Sequence, residues 1–508
     1  MAEAAGVLVG GGNGVGLLAK ERTIAGPAYN RWLVPPAALA IHLCIGMAYG
    51  FSVFWLPLSH AINGKSAIAC PADMSFIARA FATGCDWKIS ELGWMYTLYF
   101  VFLGAAAAVW GGWLERAGPR KAGFVAACCW CGGLLISAVG IITHQVWLMW
   151  LGSGVIGGCG LGLGYISPVS TLIKWFPDRR GLATGMAIMG FGGGAMIGAP
   201  LADLLVRHFA TPESVGVWQT FLVLGCLYFT AMMIGAMGYR VPPADWKPAG
   251  YVPKTNHGSM ITSRNVSVSQ AWRTPQFWLL WSVLCLNVSA GIGIIGMSSP
   301  MLQEVFGGKL IGVAKGLSDL DTAQKAQVAS IGAGFAALLS LFNIIGRIGW
   351  ASASDWLGRK RTYMIFFALG ALLYSTAPFA GRIGSIPLFV ALFCLILTMY
   401  GGGFSTIPAY LADLFGTRYV GAIHGRLLTA WSTAGVLGPT LVTFIREYQL
   451  AHGVPSAQAY NITLYILAGL LLLGFACNLA VRPVSDRFYM PESEALPSPL
   501  PGTSPVPR

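Results

Sequence analysis

One arginine in this chain stands where a charge is expensive. In the stretch 341–361, LFNIIGRIGWASASDWLGRKR, Arg347 lies inside an apolar segment that ends eight residues later in Asp355 and a basic cluster. Insertion scales put a guanidinium at bilayer depth at roughly 2.5–3.5 kcal/mol, so its presence implies something that compensates it. Counting back from Asp355 at about 1.5 Å per residue places Arg347 roughly 12 Å deep, near the middle of a hydrocarbon core of about 30 Å. The guanidinium fork matches a carboxylate with two parallel hydrogen bonds, so the chemistry it points to is the binding of an organic anion. The competing reading is an arginine tied to helix carbonyls or to a buried carboxylate. No Asp or Glu lies comparably deep in any apolar segment, which weighs against the latter.

Other side chains fall at depths from which they can join Arg347. Asn343, one helical turn earlier, can orient the guanidinium. Tyr49, Tyr165, Tyr400 and Trp431 can line a small site, and the tyrosine hydroxyls can donate to a carboxylate; each taken singly reads equally well as packing or as an interface-belt residue. His42 is the one deep titratable group besides Arg347 and is the candidate for proton coupling, set against the reading of a packed, hydrogen-bonded histidine. Deep carboxylate pairs, metal-spaced ligands and a nucleophile with its base are all missing, so the sequence does not read as an enzyme, and no metal or cofactor is expected. The C-x-x-C within Cys128 to Cys131 lies mid-helix without a second ligand pair, where thiols behave as small hydrophobes. Gly152, Gly154 and Gly157 spell G-x-G-x-x-G inside an apolar span with no preceding strand, which fits close helix packing better than a dinucleotide site. Cys70 and Cys85 share one polar loop and can form a disulfide if that loop faces an oxidising compartment.

The elements that position these residues are legible from composition. At 508 residues, 55% hydrophobic and 10% charged, with mean hydropathy +0.65, the chain has too little polar surface for a soluble fold of its size. Apolar runs of about 20 residues, long enough to cross a bilayer as helices, recur near 33–62, 90–113, 121–143, 146–172, 182–206, 218–240, 275–300, 328–353, 361–381, 386–411, 424–446 and 460–481. The expectation is an all-α polytopic membrane protein of twelve transmembrane helices. Most of the 32 Lys and Arg residues fall in both tails and in the connections on the same side. That makes both termini cytoplasmic in a cell membrane, puts the Cys70 and Cys85 loop outside, and reads the net charge of +13 as topology rather than nucleic-acid binding.

The chain also repeats itself. GGWLERAGPRK from Gly111 parallels GWASASDWLGRKR from Gly349, with Glu115 and Asp355 in corresponding places; KWFPDRRGLATG from Lys174 parallels DLFGTRYVGAIHG from Asp413. Two six-helix halves follow, at 32–240 and 275–482, joined by a Pro- and Ser-rich cytoplasmic linker at 241–274 and flanked by tails at 1–31 and 483–508 expected to be disordered. In the repeated acidic-x-x-Gly-basic-basic loop, a carboxylate ending one helix and a basic cluster opening the next can pair across the cytoplasmic face and re-form when the halves rock. Glu115, Arg116, Arg120, Lys121, Asp355, Arg359 and Lys360 are the residues expected in that role.

That loop resembles the signature between the second and third helices of the major facilitator superfamily, with Glu115 where Asp is usual. The stretch 160–195, GLGLGYISPVSTLIKWFPDRRGLATGMAIMGFGGGA, is similar to the fourth-to-fifth-helix signature of the oxalate/formate antiporter family within it; NVSAGIGIIGMSSPM from Asn287 and AIHGRLLTAWSTAGVLGP from Ala422 agree, and the resemblance spans about 32–482. It implies a secondary transporter working by alternating access, with Arg347 at the place of the family's carboxylate-holding arginine. The family's helix-eleven lysine, which takes a second carboxylate of oxalate, falls near Trp431 and Ser432, where no lysine occurs. One fixed cation balances one carboxylate, so formate, lactate, pyruvate or a similar monocarboxylate is favoured over oxalate. In related monocarboxylate transporters the place of Asn343 resembles a proton-handling aspartate. Exchange is therefore the simpler scheme, with proton-coupled symport, oxalate/formate exchange and a non-transporting carboxylate sensor as alternatives. A small carboxylate and the lipid bilayer are the expected partners of a monomer.

Overall fold

The computed structural model describes residues 16–491 apart from 27, 60, 63–67, 69, 72, 88, 212–213, 244–245, 249, 252–259 and 318. Among the described residues it is all-helical, with 12 helices long and apolar enough to cross a membrane. We number them α1 (Arg31–Phe51), α2 (Glu91–Ala117), α3 (Pro119–Ile142), α4 (Val146–Trp175), α5 (Arg180–Phe209), α6 (Val217–Gly238), α7 (Pro275–Ser298), α8 (Gly334–Leu357), α9 (Arg359–Arg382), α10 (Ile386–Phe415), α11 (Val420–Ala451) and α12 (Ser456–Ala480). The chain direction alternates from one span to the next, so an even number of spans returns both ends to one face, here called the terminal face.

The repeated loops fold alike for a backbone reason. Gly118 and Gly358 sit at φ 86° and 84°, left-handed geometry that a side chain would strain. Each ends one helix and, as the N-cap of the next, turns the chain straight into it. Both loops lie on the terminal face and set the ends of α2 and α8 in matching positions.

The spans pack as two groups, α1–α6 and α7–α12, and the groups meet chiefly along α5 against α8 and α2 against α11. Glycine permits those two seams. A Cβ on Gly181 would lie 2.0 Å from the Ala351 carbonyl oxygen, one on Gly185 2.7 Å from that of Arg347, and one on Gly425 2.1 Å from that of Ala107. Such contact excludes water and lets the backbones pass as close as sterics allow. A glycine inside one group does a different job: Gly346 of α8 lies against Thr398 of α10, where a Cβ would be 2.0 Å from the carbonyl oxygen.

The tails differ from expectation where they are described. Residues 16–26 and 28–31, expected to be disordered, are ordered. Lys20 donates to the Glu115 carbonyl at 2.7 Å, Arg120 donates to the Leu17 carbonyl at 3.0 Å, and Arg31 grips the Asp178 carboxylate with both terminal nitrogens at 2.7 and 3.0 Å. The start of the second tail is ordered as well, with the Met490 N–H on the Asn265 carbonyl at 2.9 Å and Val484 buried. Helix ends expose unsatisfied carbonyls, and these polar segments satisfy some of them, which apolar content alone did not reveal. Residues 1–15 and 492–508 lie outside the described residues. In the linker, Thr262 and Val266 donate backbone N–H groups to the carbonyls of Asp413 and Phe415 at 2.8 and 2.9 Å, docking it under α10.

The two kinds of glycine predict different phenotypes. Gly346→Ala should lower the thermal midpoint of the purified protein by several degrees. Gly425→Ala should leave that midpoint near the parent's but speed tryptic cleavage around Lys174, Arg179 and Arg180, because the seam can no longer close; equal cleavage in parent and variant would contradict this.

Candidate functional site

Arg347 is wholly buried at 0% exposure, between the two helix groups. Three of its own nitrogens face three fates. Nε donates to the Asn343 side-chain oxygen one turn earlier at 3.0 Å, Nη1 donates to the Ile188 carbonyl of α5 at 3.1 Å, and Nη2 has no partner. No carboxylate pairs with Arg347 among the described residues. An orphaned N–H inside a protein costs about 1–3 kcal/mol, more when the group is charged. The guanidinium lies 5.5 Å from the Phe404 ring and 5.9 Å from the Phe191 ring, a partial and sequence-tolerant compensation.

Around it the helices build a cage of aromatic rings. Trp431 of α11 packs 4.3 Å from Phe404, 5.5 Å from Phe191 and 5.2 Å from Tyr165, centroid to centroid. The Tyr49 ring stands edge-on to Phe191 at 4.9 Å, and its hydroxyl lies 3.3 Å from that of Tyr400. The Tyr165 hydroxyl and the Trp431 indole N–H are buried without partners, as is Arg347 Nη2. Six helices, three from each group, thus contribute side chains to one cluster, and the donors left over among them are of the kind an anion would satisfy.

The sequence singled out Tyr49, Tyr165, Asn343, Arg347, Tyr400 and Trp431, and the structure brings them together. His42 sits at one margin, its ring 5.3 Å from that of Tyr165. Its Nδ1 faces the Ala187 carbonyl and its Nε2 the Tyr165 carbonyl, the latter at 3.2 Å. Phe191 and Phe404 were missed because phenylalanine in an apolar run carries no signal of its own. His424 was missed too; it is buried in α11 with neither ring nitrogen partnered, 5.9 Å from the Tyr165 ring.

The terminal face is sealed beneath the cage. Asp355 at the end of α8 accepts from the backbone N–H groups of Gly181 and Leu182 at the start of α5, at 2.8 and 3.1 Å, so it caps a helix of the other group. Glu115 at the end of α2 accepts from Gly421 N–H at the start of α11 at 3.2 Å, the matching cap on the other seam. Lys174 pairs with Glu115 at 2.5 Å. Asp413 joins Arg180 at 2.8 Å and Arg359 at 3.1 Å, and Arg359 also reaches Asp355 at 2.6 Å.

The basic cluster therefore divides differently from expectation. Of the residues expected to pair across the face, Glu115, Asp355 and Arg359 are in the seal. Arg120 instead donates to the carbonyls of Leu17, Met237 and Tyr239, and Lys360 to those of Leu479 and Val481 at 2.7 Å each, so both tie helices within their own group. Arg116 lines a cavity on this face, and Lys121 is exposed. Arg180 and Asp413 form an ion pair between the two groups, whereas Lys174 with Glu115 and Arg359 with Asp355 and Asp413 pair within one group beside it; Lys174, Arg180 and Asp413 all lie in the second repeated pair of segments, whose charges carry no signal of their partners in sequence.

On the opposite face Cys70 and Cys85 are joined, with Cα atoms 5.0 Å apart. Cys128 and Cys131 remain free, one exposed and one buried, so they do not converge on a common ligand.

Asp413 holds two arginines while its own side chain is 7% exposed, and removing one member of a buried pair costs about 3–5 kcal/mol. Asp413→Asn should therefore raise amide hydrogen exchange at the starts of α5 and α11 by well over tenfold. Unchanged exchange there would show that the ion pairs do not hold the face.

The comparisons with known proteins agree with this architecture. The model of the Major Facilitator Superfamily matches residues 38–439. The oxalate:formate antiporter of Oxalobacter formigenes is 26% identical over 56% of this chain, and the match spans 59% of that protein. The apicoplast pyruvate carrier 1 of Toxoplasma gondii is 24% identical over 76% of this chain and 78% of its own. Among solved structures, the Escherichia coli fucose:proton symporter superposes with a TM-score of 0.58 over 89% of this chain and 99% of its own, at 13% identity, a likeness of fold alone. With the family model covering most of the chain and the twelve-helix fold in common, this protein belongs to the major facilitator superfamily.

Proposed function

We propose that the protein carries small carboxylate anions across a membrane by alternating access, with Arg347 binding the carboxylate. The observation that carries this reading is the buried guanidinium with a spare N–H and no carboxylate among the described residues. A transported anion supplies the missing charge, and the neighbouring Tyr165 hydroxyl and Trp431 indole N–H supply hydrogen bonds. Asn343 fixes the fork, leaving Nη2 for the ligand. The cage is lined by aromatic rings and holds one cation, which suits a monocarboxylate such as formate, lactate or pyruvate better than a dianion. The relatives that transport oxalate and formate, or pyruvate, support the substrate class.

Exchange is the scheme the charge favours. An empty cage buries an uncompensated guanidinium, while a loaded one is neutral, so the loaded carrier rocks more readily. The cytoplasm lies on the terminal face in this reading, with the disulfide loop outside, because the basic residues concentrate there. Glu115, Asp355, Asp413 and their partners are then the inner gate, which must part for release on that side. A second reading, proton-coupled symport, draws on His42. Its two ring nitrogens both face carbonyl oxygens, and a neutral imidazole can donate to only one of them.

In proteoliposomes, Arg347→Ala should reduce uptake of the preferred carboxylate to background with normal insertion, and Arg347→Lys should retain a few per cent at most, since a lysine keeps the charge but loses the fork. Normal uptake by Arg347→Ala would sink the assignment. Exchange predicts at least tenfold stimulation by internal anion. Uptake into empty vesicles driven by an imposed pH gradient, and lost in His42→Gln, would favour symport instead.

A further inference from the structure

His424 is a buried polar side chain that the cage leaves unused. It is 1% exposed, and neither ring nitrogen has a partner among the described residues. An imidazole in either tautomer carries one N–H donor and one acceptor, and leaving both unpaired away from water costs free energy that an apolar residue at the same place would not incur. His42 shows the contrast, since both of its ring nitrogens face carbonyl oxygens. The position of His424 is specific as well. Trp431, a wall of the cage, follows it by seven residues, about two turns, on the same face of α11. Gly421, one turn before it, gives its N–H to Glu115 in the cap on the terminal face. His424 thus lies between the cage and the cap. Its neighbour Gly425 meets the Ala107 carbonyl of α2 across the seam. One position earlier is about 100° round the helix, and there the His424 ring lies 5.9 Å from that of Tyr165 in α4, which also packs 5.2 Å from Trp431.

We propose that His424 is a second binding station for the transported carboxylate, occupied when the halves part on the terminal face; this rests on the carboxylate reading of Arg347. An anion leaving Arg347 for that face passes along α11 from Trp431 toward Gly421. Three polar side chains lie on that stretch, His424, Arg426 and Thr429. Two of them are engaged by their own half. Arg426 donates to the Val268 carbonyl at 3.0 Å, and Thr429 accepts from the Trp281 indole N–H at 2.9 Å while donating to the Arg426 carbonyl at 2.8 Å. His424 faces the first half instead, beside a Tyr165 hydroxyl that has no partner among the described residues. A carboxylate arriving between them accepts from the imidazole N–H and from the phenol. Neutral donors hold an anion less tightly than a guanidinium does. A carboxylate handed from Arg347 to His424 is therefore on its way to water, and one entering from the terminal face meets His424 first.

The test measures half-saturation on each face separately, in right-side-out and inverted membrane vesicles, with whichever of formate, lactate and pyruvate the parent transports fastest. His424→Phe keeps a ring and removes the hydrogen-bonding groups. It should raise half-saturation from the terminal face by about ten- to a hundredfold, the range for losing one hydrogen bond to a charged group, and leave the value from the opposite face unchanged. His424→Gln keeps a donor and should return the terminal-face value to within about threefold of the parent's. His424→Leu serves as the apolar variant if His424→Phe fails to insert. Parental half-saturation on both faces in the apolar variant overturns the proposal. An equal rise on both faces also overturns it, because His424 would then belong to the cage. Arg347→Ala distinguishes the two readings: uptake lost there but indifferent to His424 overturns the station alone, whereas normal uptake by Arg347→Ala, or a parent that transports none of the three anions, overturns both.

Discussion

A guanidinium sealed between two halves of a membrane protein, with an N–H left over, is the constraint on which the rest of this structure depends. Arg347 can be neutralised by its own chain only in part. Asn343 and the Ile188 carbonyl take two donors, and the rings of Phe191 and Phe404 offer diffuse attraction. What remains is a charge and an N–H without a partner. Among the described residues the helices around it place aromatic rings, not carboxylates, within reach, and in the proposed function the deficit is filled by the transported anion.

The same constraint explains why the seams are built from glycine. The Arg347 backbone lies directly against Gly185, and Gly192 of α5 lies near its side chain. The guanidinium proposed to bind the anion is thus part of the surface along which the halves meet. A ligand that neutralises it changes the energy of bringing those surfaces together. At the terminal face the seal uses electrostatics of another kind: carboxylates at two helix ends cap the starts of helices from the opposite half, with Asp413 shared between two arginines. Such contacts are strong when dry and weaken once water enters, which suits a closure that must be reversible.

Much of this was legible from residue types. The twelve spans followed from hydropathy, and Arg347 stood out because charges in apolar runs are rare. Asn343 was recoverable from helical spacing. Other parts of the site could not be read in that way. Phe191 and Phe404 are indistinguishable in sequence from lipid-facing phenylalanines, and only the meeting of α5 with α10 gives them a role. The division of the basic cluster was hidden for a related reason. Arg359 turns inward to Asp413 and Asp355, whereas Lys360, its neighbour, turns to the end of α12; adjacent residues on a helix differ by about 100° in direction, and sequence does not say which one meets the seam. The order at 16–31, apart from 27, went unseen because the Lys20 and Leu17 contacts involve backbone carbonyls, which every residue possesses, and the Arg31–Asp178 pair joins residues far apart in sequence.

The account stands on the claim that the transported carboxylate replaces the partner Arg347 lacks. A structure determined with a transported carboxylate bound tests this most directly. The account predicts the carboxylate within hydrogen-bond distance of the Arg347 guanidinium, inside the ring formed by Tyr49, Tyr165, Phe191, Tyr400, Phe404 and Trp431. A carboxylate bound elsewhere, with Arg347 Nη2 still unpartnered, would contradict it.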